Sequence, residues 1–229
     1  MYVTLNRPQT LNAITSSMKV RLLEVIAEAE SDPSLTVLVL RGAGRAFCSG
    51  ADLSELDSTS QWTTVSSLQR LEITQAVVQG MRRSRLAIVT VLHGVAAGGG
   101  VALALAGDIV LASQDGALML VFGKRHLVPD AALSDMLISA VGARKALSMS
   151  LLSQNLTADE AMTLGLVDKV CNADELDETV NQTIASLTEA GPETVLLMKR
   201  VFVHEDPVRK AVEGMAQALA FKHVEQSDL

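Results

Sequence analysis

The sequence carries two glycine-bearing loops, FCSGADL at residues 47–53 and HGVAAGGG at residues 93–100. Each follows a strand-like run rich in β-branched residues, and each opens a helix-like segment. Glycine lets a backbone approach a ligand closely, and the first N–H groups of a helix have no intrahelical partner. One such loop alone would indicate only a turn. The pair predicts backbone donors arranged around a negatively charged oxygen.

Composition bounds the kind of protein that this chain can be. Its 229 residues are 48% hydrophobic, which suits a single core-forming unit. A net charge of -7 and a pI of about 5.1 argue against a nucleic-acid surface. The sequence has no apolar run of the roughly 20 residues that a membrane helix needs, and no signal-type leader. We therefore expect a cytoplasmic protein that binds neither nucleic acid nor membrane.

The two cysteines, Cys48 and Cys171, are far apart and show no CxxC or Cys/His spacing. We predict two free thiols, with no disulfide and no metal site. Cys48 stands just before the first glycine of its loop, but no paired base is visible that would make it a nucleophile. A buried packing residue is therefore the favoured interpretation.

Apolar patterning predicts strands first and helices last. Short runs at 35–40, 86–92, 108–112 and 117–121 indicate strands, whereas the periodicity of 16–30 and 61–81 indicates helices. From residue 131 onward the pattern is almost wholly helical. This order predicts an α/β protein with βα crossovers and a helical end.

Besides the two loops, the sequence contains LNRP at 5–8, LNA at 11–13, LTADEA at 156–161 and GLV at 165–167. Together these segments resemble the enoyl-CoA hydratase/isomerase (crotonase) superfamily over nearly the whole chain. The resemblance implies the crotonase-like ββα spiral (ClpP/crotonase fold), with a core over 1–170 and a C-terminal helical trimerisation region over 171–229. It also implies an acyl-CoA thioester substrate and a homotrimer or hexamer.

Hydratases of this superfamily carry two glutamates, one just after the triple glycine and one about twenty residues later. The corresponding positions hold Ala102 and Phe122. Neither side chain can accept or donate a proton, so ordinary addition of water is not expected of this chain.

One carboxylate remains in this region, that of Asp130 in the segment FGKRHLVPD at 122–130. The segment resembles the 1,2-epoxyphenylacetyl-CoA isomerase branch, in which this aspartate is the acid/base group. Apolar neighbours are expected to raise its pKa and make it a better base. Two alternatives stay open, one in which Asp130 caps the following helix and one in which His126 serves as a second acid/base group. The branch usually follows Pro-Asp with a glycine pair, where this chain has Ala132-Leu133.

The resemblance also assigns the binding residues. The backbone N–H groups of Ala51 and Gly99 match the two donors of the superfamily's oxyanion hole. Contacts with substrate and coenzyme A are expected from Arg7, Asn12, Ala13, Asp52, Leu53, Gly98 and Phe122. For Asn12 a purely structural turn is an equally good interpretation.

The favoured function is that of an acyl-CoA double-bond isomerase, or a related isomerase, that uses Asp130 and an enolate held by backbone donors. It needs no cofactor, since coenzyme A is part of the substrate, and no metal. Two alternatives are an enoyl-CoA hydratase with atypical acid/base groups and a non-catalytic acyl-CoA-binding protein. The altered glycine pair and the lack of the superfamily's basic C-terminal tail favour the last of these.

Overall fold

Two β-sheets form the centre of the structure, a computed structural model that describes residues 1–56, 64–203 and 211–217. The strands in chain order are β1 (Tyr2–Leu5), β2 (Val37–Gly42), β3 (Ala46–Cys48), β4 (Ala87–Leu92), β5 (Val95–Ala97), β6 (Ile109–Ser113), β7 (Ala117–Met119), β8 (Asn155–Thr157) and β9 (Lys169–Cys171). One sheet has the order β1-β2-β4-β6-β9 and the other has the order β3-β5-β7-β8. All pairs are parallel except β7 with β8.

Strands β2 to β7 alternate between the two sheets, and this alternation builds the spiral. Strands β2, β4 and β6 join the first sheet, and the short strands that follow them, β3, β5 and β7, join the second. A helical segment then leads to the next turn. The ββα spiral expected from the sequence is confirmed.

The helices in chain order are α1 (Ser16–Ser31), α2 (Leu53–Leu56), α3 (Thr64–Arg83), α4 (Gly99–Leu105), α5 (Leu133–Val141), α6 (Ala143–Leu151), α7 (Ala158–Thr163), α8 (Leu176–Ala190) and α9 (Pro192–Phe202). Residues 211–217 are also helical. The first residues of the helix predicted from position 61 lie outside the described residues. Strands β2, β4, β6 and β7 and helix α1 agree with the predicted runs to within two residues at each end.

The first sheet is buried on both faces, which explains its nearly continuous apolar strands. One face contributes Leu38, Leu40 and Ile88 to the main core. The opposite face, with Val37 and Val39, packs against side chains of α8 and α9. The sequence of a strand buried on both faces cannot alternate between polar and apolar residues.

An ion pair formed by the buried Lys199 connects helix α9 to the rest of the protein. The Lys199 Nζ lies 2.6 Å from the Asp108 Oδ2 and also donates to the main-chain oxygens of Met81 and Leu86. Burial lowers the pKa of Lys199, while the charge of Asp108 opposes that change. A buried ammonium is tolerated here because its donors are matched by acceptors.

The prediction of an almost wholly helical part after residue 131 is wrong at β8 and β9. Both strands are only three residues long, and strand β9 adds to the first sheet beside β6. The predicted boundary at 170 falls inside β9, so the sheet continues one residue beyond it. Three-residue strands give too little periodicity to be recognised in a sequence. Across 1–56, 64–203 and 211–217, no helix combines the length and the apolar character that a membrane span requires.

The neighbouring glycines of α4 differ in how much space surrounds them, which gives a matched pair of variants. A Cβ at Gly100 would lie 2.2 Å from the Cys48 oxygen, whereas a Cβ at Gly99 would meet nothing within 4 Å. We expect Gly100→Ala to lower the free energy of unfolding by about 2 kcal/mol or more, because the fully buried backbone of β3 cannot move away. Gly99→Ala should change stability by less than about 0.5 kcal/mol. Urea unfolding of both variants tests this, and equal stabilities would contradict the packing described.

Candidate active site

The two glycine loops meet because β3 and β5 are neighbours in the second sheet. Cys48 is paired with Ala96, so the residues that follow each strand emerge side by side. A Cβ at Gly50 would lie 2.6 Å from the Ala97 oxygen and 3.3 Å from the Gly99 nitrogen. Gly50 also has a φ of 94°, a conformation that side chains disfavour. Glycine is thus required at position 50 for both space and backbone conformation.

The N–H groups of Ala51 and Gly99 are free to serve as donors. Among the described residues neither N–H group has an acceptor, although the adjacent Asp52 and Gly98 N–H groups donate to the oxygens of Ile14 and Met119. Ala51 is exposed and Gly99 is half-buried. Two unpaired donors on touching loops form the geometry that can stabilise a developing oxyanion.

The two positions that the resemblance assigns to the glutamates of hydratases lie in the main core. Ala102 on α4 is fully buried, and Phe122 is 3% exposed at the start of a short 3-10 turn. Both belong to the same hydrophobic cluster. These positions therefore supply packing, and neither offers a proton-transfer group.

Asp130 lies in the segment that runs from β7 to α5. That segment starts against the second glycine loop, because the Gly98 N–H donates to the Met119 oxygen. Burial raises the pKa of the Asp130 carboxyl from 3.8 to about 6, the charge of Glu213 adds to the rise, and the charge of Lys19 opposes it. A carboxylate with such a pKa is ionised at neutral pH and is a stronger base than an exposed one.

Asp130 does not cap helix α5, so the capping alternative is wrong. The N-cap residue of α5 is Ala132, and no side chain of its own caps the helix. The acceptor at this helix start is instead Glu213, which receives the N–H groups of Ala132 and Ser134 at 2.7 and 2.9 Å. Sequence reasoning missed Glu213. The available signal was a glutamate and a glutamine four residues apart in the otherwise apolar run AVEGMAQALA at 211–220.

The residues expected to contact coenzyme A form a cluster beside the first glycine loop. The Arg7 Nη1 lies 2.5 Å from the Asp52 Oδ2 and donates to the Ala13 oxygen at 2.8 Å. Hydrogen bonds from Ser54, and then from Arg7, lower the pKa of Asp52. Leu53 begins α2 directly after this cluster.

Asn12 is fully occupied by the fold. Its Oδ1 accepts the Arg7 N–H, and its Nδ2 donates to the Ala43 and Ala46 oxygens. Asn12 also has a φ of 57°, which asparagine tolerates better than most residues. The turn interpretation accounts for this side chain and for the Asn12 N–H, which donates to the Arg7 oxygen at 2.9 Å.

His126 and Cys48 also carry side chains that can react, and the structure places one at the surface and the other in the core. His126 is exposed and ends the 3-10 turn with a φ of 55°. Cys48 is a free, fully buried thiol, and burial raises its pKa to about 12, so the thiolate is disfavoured. The prediction that Cys48 is a packing residue is confirmed.

The chain belongs to the enoyl-CoA hydratase/isomerase family, whose sequence profile matches residues 1–228. The 1,2-epoxyphenylacetyl-CoA isomerase of Escherichia coli strain K12 is 33% identical over 185 residues, which cover 80% of this chain and 70% of that protein. A peroxisomal protein of Arabidopsis thaliana named probable enoyl-CoA hydratase 1 is 35% identical over 199 residues, covering 87% and 73%.

A crystal structure of an enoyl-CoA hydratase from Mycobacterium avium subsp. paratuberculosis K-10 superposes with a TM-score of 0.86 at 32% identity. The match covers 99% of this chain and 93% of that one. The protein is thus an acyl-CoA enzyme of the crotonase fold.

The raised pKa of Asp130 predicts that its removal stabilises the protein. The folded state holds the Asp130 proton more tightly than the unfolded state does, so stability is lost as the pH rises from about 4 to about 6. At about pH 8 we expect the free energy of unfolding of Asp130→Asn to exceed that of wild type by up to about 3 kcal/mol. Below about pH 4 we expect the two free energies to be equal. Denaturant unfolding at both pH values measures this, and a less stable variant at pH 8 would contradict it.

Proposed function

We propose that the protein is an acyl-CoA double-bond isomerase in which Asp130 is the acid/base group. One observation carries the proposal: Asp130 has a pKa of about 6, while Ala102 and Phe122 occupy the two glutamate positions of hydratases. Moving a double bond by one carbon requires a single group that takes a proton and returns it. The similarity to a bacterial acyl-CoA isomerase supports the same conclusion.

The proposed reaction is a 1,3-proton shift in a 3-enoyl-CoA thioester. The Asp130 carboxylate takes a proton from C2, and the electron pair of that C–H bond forms a dienolate. The N–H groups of Ala51 and Gly99 stabilise the negative charge on the thioester oxygen. The protonated Asp130 then gives its proton to C4, so the double bond moves from C3–C4 to C2–C3.

Addition of water is less compatible with the residues of this site. Glu213 is a second carboxylate near Asp130, but its two oxygens accept hydrogen bonds from the Ala132 N–H and from both polar groups of Ser134. A carboxylate so engaged is a poor group to activate water, because protonation would cost it those bonds. Hydration that uses other groups is left as an outcome of the test.

The proposed contacts with substrate and coenzyme A are Arg7, Asn12, Ala13, Asp52, Leu53, Gly98 and Phe122. Arg7 is still 30% exposed beside Asp52, which leaves its guanidinium within reach of a phosphate. The reaction requires no further cofactor, because only a proton moves. The cytoplasmic location stays a prediction.

Self-association as a homotrimer or hexamer is part of the proposal. It is supported by exposed apolar side chains at the end of α6 and along α9, where Leu152 is 72% and Phe202 is 82% exposed. Apolar groups of this size are normally covered. Sedimentation velocity measures the oligomeric state directly.

The test of the proposed function follows 3-enoyl-CoA and 2-enoyl-CoA thioesters in deuterated water. We expect the wild-type protein to move the double bond, and Asp130→Asn to lose at least about 100-fold in that rate because the proton carrier is gone. Asp159→Asn is the matched control, since Asp159 is an exposed carboxylate on α7. Water addition to crotonyl-CoA that survives Asp130→Asn would instead identify a hydratase. Tight acyl-CoA binding without migration, hydration or exchange would identify a binding protein.

The oxyanion donor can be removed with little disturbance at Gly99. This residue is the first of α4, where proline is tolerated, and a Cβ there meets no protein atom within 4 Å. Gly99→Pro should lower kcat about 100- to 1000-fold relative to Gly99→Ala, because only proline removes the N–H group. Both variants add a Cβ, so the difference between them isolates the donor. Equal kcat values would remove Gly99 from the oxyanion hole.

A further inference from the structure

The segment that carries Asp130 is held at three N–H groups by one face of helix 211–217. The Val128 N–H donates to the Gln217 Oε1 at 2.7 Å. Further along the segment, the Ala132 and Ser134 N–H groups donate to the two oxygens of Glu213. Glu213 and Gln217 are one helical turn apart, and they are only 5% and 3% exposed. The three donor N–H groups therefore lie on both sides of Asp130 in the chain.

The held segment has an unusual backbone conformation. Ala131 and Ala132 have φ values of 56° and 59°, in the left-handed region. Each such residue costs on the order of 1 kcal/mol when it is not glycine, so two in succession persist only where neighbouring groups enforce them. The related branch usually has glycine at the position of Ala132, which would adopt this conformation without that cost. In this chain the hydrogen bonds to Glu213 and Gln217 supply the constraint.

The same helix acts on the charge of Asp130. The ionisable groups that face Asp130 are Glu213 from helix 211–217 and Lys19, buried on α1. Burial has the largest effect on the pKa of Asp130; the negative charge of Glu213 adds to the rise, and the positive charge of Lys19 lowers the pKa. Burial raises the pKa of Glu213 itself, with a smaller rise from Asp135, against the hydrogen bonds from Ser134 and Ala132.

We propose that Glu213, assisted by Gln217, is the positioning residue for Asp130. It fixes the left-handed backbone from which the base projects, and its negative charge strengthens that base. This proposal rests on the function proposed above. Glu213 itself transfers no proton, because its oxygens are occupied by main-chain and serine donors.

The test is the variant Glu213→Gln, which keeps the side-chain shape but removes the charge and one of the two acceptors. We expect kcat to fall about 10- to 100-fold with KM changed less than about threefold, because the base is displaced and weakened while substrate contacts remain. The acidic limb of the kcat profile, near pH 6 in wild type, should move to lower pH. Glu160→Gln is the matched control, since Glu160 accepts the Thr157 N–H in a capping box on α7. An unchanged kcat and limb in a folded Glu213→Gln protein would overturn the proposal.

A second variant tests the conformational part. Adding Ala132→Gly to Glu213→Gln lowers the cost of the left-handed backbone, so we expect kcat to recover several-fold. No recovery would show that Glu213 does not act through this conformation.

A readout without turnover separates this proposal from the proposed function. The pKa of Asp130 can be followed by carboxyl NMR titration in wild type and in Glu213→Gln. A lower value in the variant supports the inference even if the protein moves no double bond, and an unchanged value contradicts it. Loss of the proposed function would appear instead as identical rates for wild type and Asp130→Asn.

Discussion

Close contact between two backbone segments governs this site. The Cys48 oxygen of β3 and the Gly100 backbone of α4 approach so closely that a single added Cβ would lie 2.2 Å away. Phe47 and Cys48 are fully buried, so this contact belongs to the core. The N–H group of Ala51 follows Cys48 by three residues, and that of Gly99 precedes Gly100 by one. Packed strands set the positions of these two N–H groups, so loop motion changes their positions little.

The proposed proton-transfer group, Asp130, is held by contacts of a different kind. Asp130 lies in an irregular segment with two left-handed alanines, and its surroundings come from distant parts of the chain, with Lys19 on α1 and Glu213 on helix 211–217. Burying a carboxylate beside another carboxylate costs stability. The same arrangement raises proton affinity, which is what a base requires, so reactivity and stability oppose each other at this residue.

The proposed oxyanion frame consists of main-chain groups, whereas the proposed proton transfer depends on a side chain. In this chain Ala102 and Phe122 turn two potential proton-transfer positions into core positions, and the neighbouring side chains close around them. The frame is unaffected because its donors are main-chain groups, which no substitution at those positions removes. A fold can therefore keep its enolate chemistry while the reaction that follows changes with a few side chains.

The sequence by itself determined the two glycine loops and the main strands of the first sheet. The glycines at positions 50, 98 and 100 and the apolar runs of β2, β4 and β6 carry local signals, because a positive φ, a close approach or a doubly buried strand each restrict residue type. Asp130 was singled out by the resemblance of its segment to an isomerase branch, and its role as the acid/base group stays a prediction.

Tertiary structure alone decided strands β8 and β9, the acceptor at the start of α5 and the pKa of Asp130. Strands β8 and β9 are too short for a periodic signal and exist because partner strands offer them hydrogen bonds. The acceptor at the start of α5, Glu213, leaves no signal near that helix because it is supplied from 79 residues away. The pKa of Asp130 depends on burial and on charges from both ends of the chain. Contacts between residues so distant in sequence leave no local pattern, since each side chain is compatible with many other surroundings.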